Sequence, residues 1–206
     1  MIWAPSPLGP WSKPQRLFAA QANETNADTN LAVVILANGS AVGIGRTWGP
    51  PTGVIVHLVL AADWRDAGSY VGRWDRLLFP NTTRVPNAGL EDPFVYVDRR
   101  GVFHAVFHNQ IEADDERLCG GHAYSEDGLR WTFSGTAWSN EVALVSPAGA
   151  AYNYSFSRRE RPHLVFGDPH DAHRITALTT GVQFGSKAPV SVKGEDACYT
   201  LLQEVA

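Results

Sequence analysis

The stretch Phe94-Val95-Tyr96-Val97-Asp98-Arg99-Arg100-Gly101-Val102-Phe103-His104-Ala105-Val106-Phe107-His108 decides how the whole chain reads. Two apolar runs rich in β-branched and aromatic residues flank Asp98-Arg99-Arg100-Gly101, and the glycine can take the left-handed conformation that a tight hairpin requires. Because side chains alternate along a strand, His104, Val106 and His108 share one face of the second run, while Phe103, Ala105 and Phe107 line the other. The stretch is a β-hairpin.

The same rhythm continues in both directions. Upstream, Leu31 to Leu36 leads through Ala37-Asn38-Gly39-Ser40 into Ala41 to Gly45, and Asn-Gly is the strongest two-residue hairpin signal because both turn positions need φ > 0. Val54 to Ala61 supplies another strand, and residues 62–89, with Trp64 and Trp74, read as an outer strand and a long loop. Downstream, Gly121 to Ser125 and Leu129 to Phe133 flank Glu126-Asp127-Gly128, where Asp127 is a turn former rather than an acid catalyst. A further cycle runs through Ala143-Leu144-Val145, Tyr152 to Ser155, Pro162 to Phe166 and Ile175 to Leu178, and Cys198 to Gln203 is a last strand suited to closing a ring. Helical periodicity is almost absent, which is the pattern of an all-β sandwich, barrel or propeller. The repeat of roughly fifty residues lies within the range expected of propeller arrays, and the expected fold is a five-bladed or incomplete β-propeller of four-stranded antiparallel blades. The chain is expected to be a single domain over residues 1–206. Ser6 to Trp11 resembles the late part of a blade, so a first blade is expected to be missing from the N-terminal side.

Composition narrows the function. With 206 residues, 44% hydrophobic, the chain is long enough for one folded core, and a formal net charge of −4 offers no basic stripe for a nucleic-acid backbone. No apolar run approaches the ~20 residues of a membrane span, and Met1-Ile2-Trp3-Ala4-Pro5 is not a signal peptide. Four glycosylation sequons, at Asn23, Asn38, Asn81 and Asn153, lean the expectation toward a secreted or endomembrane location. Cys119 and Cys198 could pair or both be free, and neither spacing suits zinc.

Two short segments carry the chemistry. Gly89-Leu90-Glu91-Asp92-Pro93 and Arg158-Arg159-Glu160-Arg161-Pro162 each place a carboxylate at a strand entrance, where the following proline removes a ladder donor. Two acids facing one cleft can break a glycosidic bond, one giving a proton to the leaving oxygen and the other acting as base, nucleophile or charge stabiliser. Structural ion pairs with Arg159 and Arg161 are the competing reading. In an extended strand those arginines point opposite to Glu160, and Glu91 points opposite to Asp92, which makes Glu91 structural.

Gly89 to Pro93, the Ser125-Glu126-Asp127-Gly128-Leu129-Arg130-Trp131 turn and Arg159-Glu160-Arg161-Pro162 together resemble the five-bladed β-propeller glycosidases, families 32, 43, 68 and 130, over about residues 30 to 180. The resemblance implies an axial pocket with one acid from each of three successive blades. Asp92 matches the middle, charge-stabilising acid and Glu160 the third, proton-donating one. The first acid has no Asp-Pro match upstream, Asp28 being the only early candidate. His104, His108, His122, Arg159 and Arg161 are the candidate carbohydrate-binding groups; the histidines read either as a sugar pocket or as buried hydrogen-bonded rings. No metal and no cofactor are expected. The expected function is hydrolysis of a glycosidic bond, the alternative a catalytically inactive carbohydrate-binding or scaffold propeller.

Overall fold

The computed structural model describes residues 1–18, 27–49, 53–73, 78–79, 90–109, 120–168, 171–183 and 198–205. Gly89, Trp74, Asn23, Asn81, the acidic run 112–117 and Cys119 lie outside them, as do the side chains of Asp28 and Cys198. Four strands, β1 (Ala27–Ile35), β2 (Ala41–Gly49), β3 (Gly53–Ala61) and β4 (Tyr70–Arg73), form an antiparallel meander in sequence order. The β1–β2 turn is wider than the two-residue loop that Asn-Gly signals: Gly39 takes φ +85° but Asn38 does not enter the left-handed region, and its amide oxygen instead accepts from the Ser40 N–H at 3.0 Å and the Ser40 hydroxyl at 2.7 Å.

The second meander contains β5 (Leu90–Val97), β6 (Phe103–Asn109), β7 (Gly120–Ser125) and β8 (Thr132–Trp138). At the β5–β6 turn Gly101 sits at φ +83°, and the Asp98 carboxylate accepts from the N–H groups of Arg100 and Val102 at 2.8 and 3.0 Å. At the β7–β8 turn the Asp127 carboxylate accepts from the N–H groups of Leu129 and Arg130, both at 2.8 Å. The Trp131 indole then folds back to donate to the Gly128 carbonyl, and its ring is buried. Gly120 is obligatory for packing: a Cβ there would lie 2.0 Å from the Trp138 ring.

These sheets stack as blades. Ile44 and Val56 of the first blade meet Leu90, Ala105 and Phe107 of the second, all buried. On the opposite face of the second blade, Val106 and Trp138 pack with Leu178, joined by Phe94 and Leu164. Leu178 and Leu164 belong to the third sheet, β11 (Arg158–Asp168), β12 (Asp171–Gln183) and β13 (Cys198–Glu204). The first blade's other face is covered by Met1, Leu17 and Phe18 of the N-terminal segment.

The third cycle differs from the sequence reading in two ways. Its first two runs, β9 (Glu141–Val145) and β10 (Ala151–Ser155), do not join the blade but pair only with each other, closed by a Ser146–Ala150 turn with Gly149 at φ +83°. A tight turn satisfies a two-stranded ladder locally, and its buried Val142 and partly buried Leu144 pack against Phe156, Val182 and Leu201 instead. The tail strand β13 extends the third blade beside β12 rather than closing a ring. Among the described residues the sole helical element is the 3-10 turn Ala67–Ser69, and no helix is long and apolar enough to cross a membrane.

Candidate active site

All three described blades enter the same way. Each first strand begins with a break in register, between Ala27 and Leu31 in β1, Glu91 and Phe94 in β5, and Glu160 and His163 in β11. A bulge re-aims the side chain at its extra residue, and here it does so three times toward one hollow. Asn30, Asp92 and Arg161 line a cavity of about 440 Å³, together with Leu31, Phe94, His163 and the prolines Pro93 and Pro162.

Asp92 and Arg161 have φ of +48° and +56°, two of the three non-glycine residues in the left-handed region among those described. Backbone strain of this kind costs about 1–3 kcal/mol and collects at functional sites, where surrounding structure holds it in place. Part of that hold is visible: the Asn30 amide oxygen accepts from the Asp92 N–H at 2.6 Å, tying the first blade to the second.

The sequence pattern contains this equivalence. Glu91-Asp92-Pro93-Phe94 and Glu160-Arg161-Pro162-His163 are the same four-residue entry, so Asp92 corresponds to Arg161 and Glu91 to Glu160. Aligning the prolines would have found Arg161 and His163 as cavity residues. Asn30 carries no proline beside it, and only the register reveals it.

The expected residues separate in space. Asp92 and Arg161 are in the cavity. Glu160 is half-buried one residue back, with an oxygen 3.6 Å from an Arg158 guanidinium nitrogen, yet close enough for its charge to act on Asp92. Arg159 points into the third blade's interior, only 2% exposed, and donates to the Thr180 hydroxyl, the Ser139 carbonyl and the Gln203 amide oxygen. Strand alternation puts Arg159 and Arg161 on one face; the register break that follows Glu160, and contains Arg161, ends that alternation. His104, Val106 and His108 do share a face, but His108 lies beside Glu91 while His104 lies beside His122.

Glu91 is a structural ion-pair partner. Arg46, from the first blade, donates to its carboxylate, and His108 Nδ1 lies 3.8 Å away, beyond hydrogen-bond length but within reach of its charge. His108 first, then Arg46, hold the Glu91 carboxyl down to about 2 against the opposing effect of burial. A carboxyl depressed in the folded state stabilises above its ordinary value of 4.5, and that contribution is lost as pH falls from 4.5 toward 2. Glu91→Gln is therefore expected to cost on the order of 1–2 kcal/mol at pH 7, discounted for its partial exposure. In thermal melts the offset between variant and native curves should shrink steadily as pH falls from 4.5 toward 2; an offset unchanged over that range would contradict this assignment.

Asp92 behaves oppositely. Burial pushes its carboxyl above the usual range; Arg161 and His108 pull it back, and the charges of Glu91 and Glu160 push it further up. Glu91, Asp92 and His108 place two carboxylate oxygens and one imidazole nitrogen within 4.8 Å of one another, a donor set for a divalent cation. Arg46 on Glu91 and Arg161 near Asp92 already bring positive charge to both acids. The carboxylate–histidine proximity was invisible in the sequence, since Glu91 and His108 face each other across the β5–β6 ladder.

No protein-family model and no curated protein matches this sequence. Among solved structures, the endo-arabinase of Bacteroides thetaiotaomicron VPI-5482 superposes with a TM-score of 0.50 at 12% identity, over 85% of this chain and 58% of its own. The exo-β-1,3-galactanase of Phanerochaete chrysosporium covers 76% of this chain and 44% of its own at 11% identity, TM-score 0.43. That of Clostridium thermocellum covers 78% and 43% at 11% identity, TM-score 0.43. The chain thus spans less than two thirds of each of these proteins. At identity this low the likeness is one of fold alone: the chain has an all-β, propeller-type architecture whose described sheets do not close a ring.

Proposed function

We propose that this chain acts on carbohydrate at the axial cavity, with Asp92 as charge stabiliser and Glu160 as proton donor in hydrolysis of a glycosidic bond. The supporting observation is the setting of Asp92: a carboxylate in a strained bulge at the cavity wall, its carboxyl raised by burial, with Glu160 near enough to influence it. Stabilising an oxocarbenium-like centre requires the ionised form, which Arg161 favours and burial opposes. Substrate binding alters both influences, so the balance at Asp92 is adjustable. Phe94 and His163 supply ring surface beside the acid, and Asn30 and Arg161 supply hydrogen-bonding groups for sugar hydroxyls.

A second reading, carbohydrate binding without cleavage, has its own support: Arg161 lines the cavity where Glu160 does not, and Arg158 lies at ion-pair distance from Glu160. A screen of aryl glycosides with the native chain and Glu160→Gln separates them. Hydrolysis is expected in the native chain and should fall about 10²- to 10⁴-fold in the variant, the range for loss of a general acid. Equal rates in the two would remove Glu160 from the mechanism. Sugar binding by both with no turnover by either would favour the second reading.

A further inference from the structure

Away from the axial cavity, four side chains from neighbouring elements of the second blade form one polar row. Asp98 Oδ2, in the β5–β6 turn, lies 3.4 Å from His104 Nε2 on β6. His104 Nδ1 lies 3.1 Å from His122 Nε2 on β7, and His122 Nδ1 lies 2.5 Å from the Ser134 hydroxyl oxygen on β8.

With Asp98 ionised and both imidazoles neutral, proton placement along this row has one solution. An ionised carboxylate only accepts, so His104 carries its proton on Nε2 and presents a lone pair at Nδ1. His122 must then donate from Nε2, which leaves its Nδ1 as an acceptor facing Ser134. The Ser134 hydroxyl donates to it, at a shorter distance than the 3.1 Å to the His122 carbonyl oxygen. The result is a serine, a base and two orienting groups, the arrangement that activates a hydroxyl nucleophile.

Three further features fit. Ser134 is exposed, and it is the extra residue of a β-bulge, since Phe133 pairs with Ala123 and Gly135 with His122. Bulges of this kind redirect a side chain out of the regular pleat. The Tyr96 ring lies nearly parallel to His104, 4.9 Å between centroids, and fixes the imidazole plane. Burial lowers the His122 pKa, which favours the neutral, basic ring.

We propose that Ser134 is the nucleophile of an acyl-transfer site, with His122 as its base and His104 and Asp98 as positioning residues, acting on short-chain acyl esters. The open surface at Ser134 suits a small acyl group projecting from a larger carrier. Ser134 Oγ bonds to the ester carbonyl carbon as its proton passes to His122 Nδ1. The carbon–alkoxy bond then breaks, and the alcohol leaves with that proton. Water attacks the acyl-serine, gives one proton to His122, and the acid departs as Ser134 Oγ recovers that proton. The positive charge on His122 during each step is held by His104 and, through it, by Asp98.

The test is a fluorophosphonate probe with the adduct located by tandem mass spectrometry. On the native chain a single adduct on Ser134 is expected. Ser134→Ala should give none, and His122→Gln should slow labelling about 10²-fold or more while the melting temperature shows a folded protein. Asp98→Asn should slow labelling about tenfold, and hydrolysis of p-nitrophenyl acetate should follow the same order. No adduct, an adduct on another residue, or equal labelling rates in native chain and His122→Gln overturns the proposal. The position of the adduct on the native chain is decisive even where a variant fails to fold.

Discussion

Arg159→Met is expected to destabilise the protein by about 3–5 kcal/mol, enough to lower the melting temperature by roughly 10 °C in a chain of this length. The guanidinium is 2% exposed and joins Thr180 on β12, Gln203 on β13 and the Ser139 carbonyl just before β9. Methionine matches the stem but supplies no donors, so three acceptors held by one cation lose that partner, each at a cost of about 1–3 kcal/mol where water cannot replace it. Urea unfolding is the measurement, with the midpoint falling and the slope unchanged. Since the side chain points away from the axial cavity, sugar affinity per folded molecule should be unaffected. A loss of affinity with stability intact would instead return Arg159 to the ligand-binding group that its sequence position suggests.

Asp92→Asn is expected to move stability and activity in opposite directions. Asparagine tolerates a left-handed backbone and keeps the side chain's shape, so the bulge survives. The native carboxyl has a raised pKa, chiefly from burial, so its ionisation is a cost to folding. The sign follows directly: an acid with a raised folded value favours the folded state fully only below its ordinary value of 3.8, and that advantage is lost as pH rises through the folded value. Replacing it by a neutral amide should raise the melting temperature at pH 7 by roughly 2–4 °C, the change that about 1 kcal/mol makes in a domain of this size, and leave it unchanged near pH 3. Glycoside hydrolysis should fall about 10³-fold in the same variant, because the charge facing the reacting sugar is gone. A variant that is both less stable and fully active would show Asp92 to be an ordinary structural acid.

Much of the blade architecture was legible because its determinants are local. Asn38-Gly39 and Asp98 to Gly101 each close a hairpin with their own backbone geometry, and Asp127-Gly128 joins β7 to β8 through hydrogen bonds within a few residues. The third blade was less legible. Val142-Ala143-Leu144 and Tyr152 to Tyr154 have the same strand composition as any blade run, and nothing within them says whether they pair with each other or with β11. That choice is made by Val182 and Leu201, distant in sequence, which with Phe156 just after β10 offer the apolar surface on which the hairpin settles.

The sequence by itself determined that this chain is built of strands, where most of them turn, and that acids stand beside prolines at two strand entrances, all consequences of side-chain alternation and turn chemistry over a few residues. Packing over longer distances set the rest: Asp92 and Arg161 line one hollow with Asn30, Arg159 is buried on Thr180, Ser139 and Gln203, and His122 stands between His104 and Ser134. The reason is that one extra residue in a bulge rotates every side chain after it, and the packing of one blade on the next then sets which of those side chains meet.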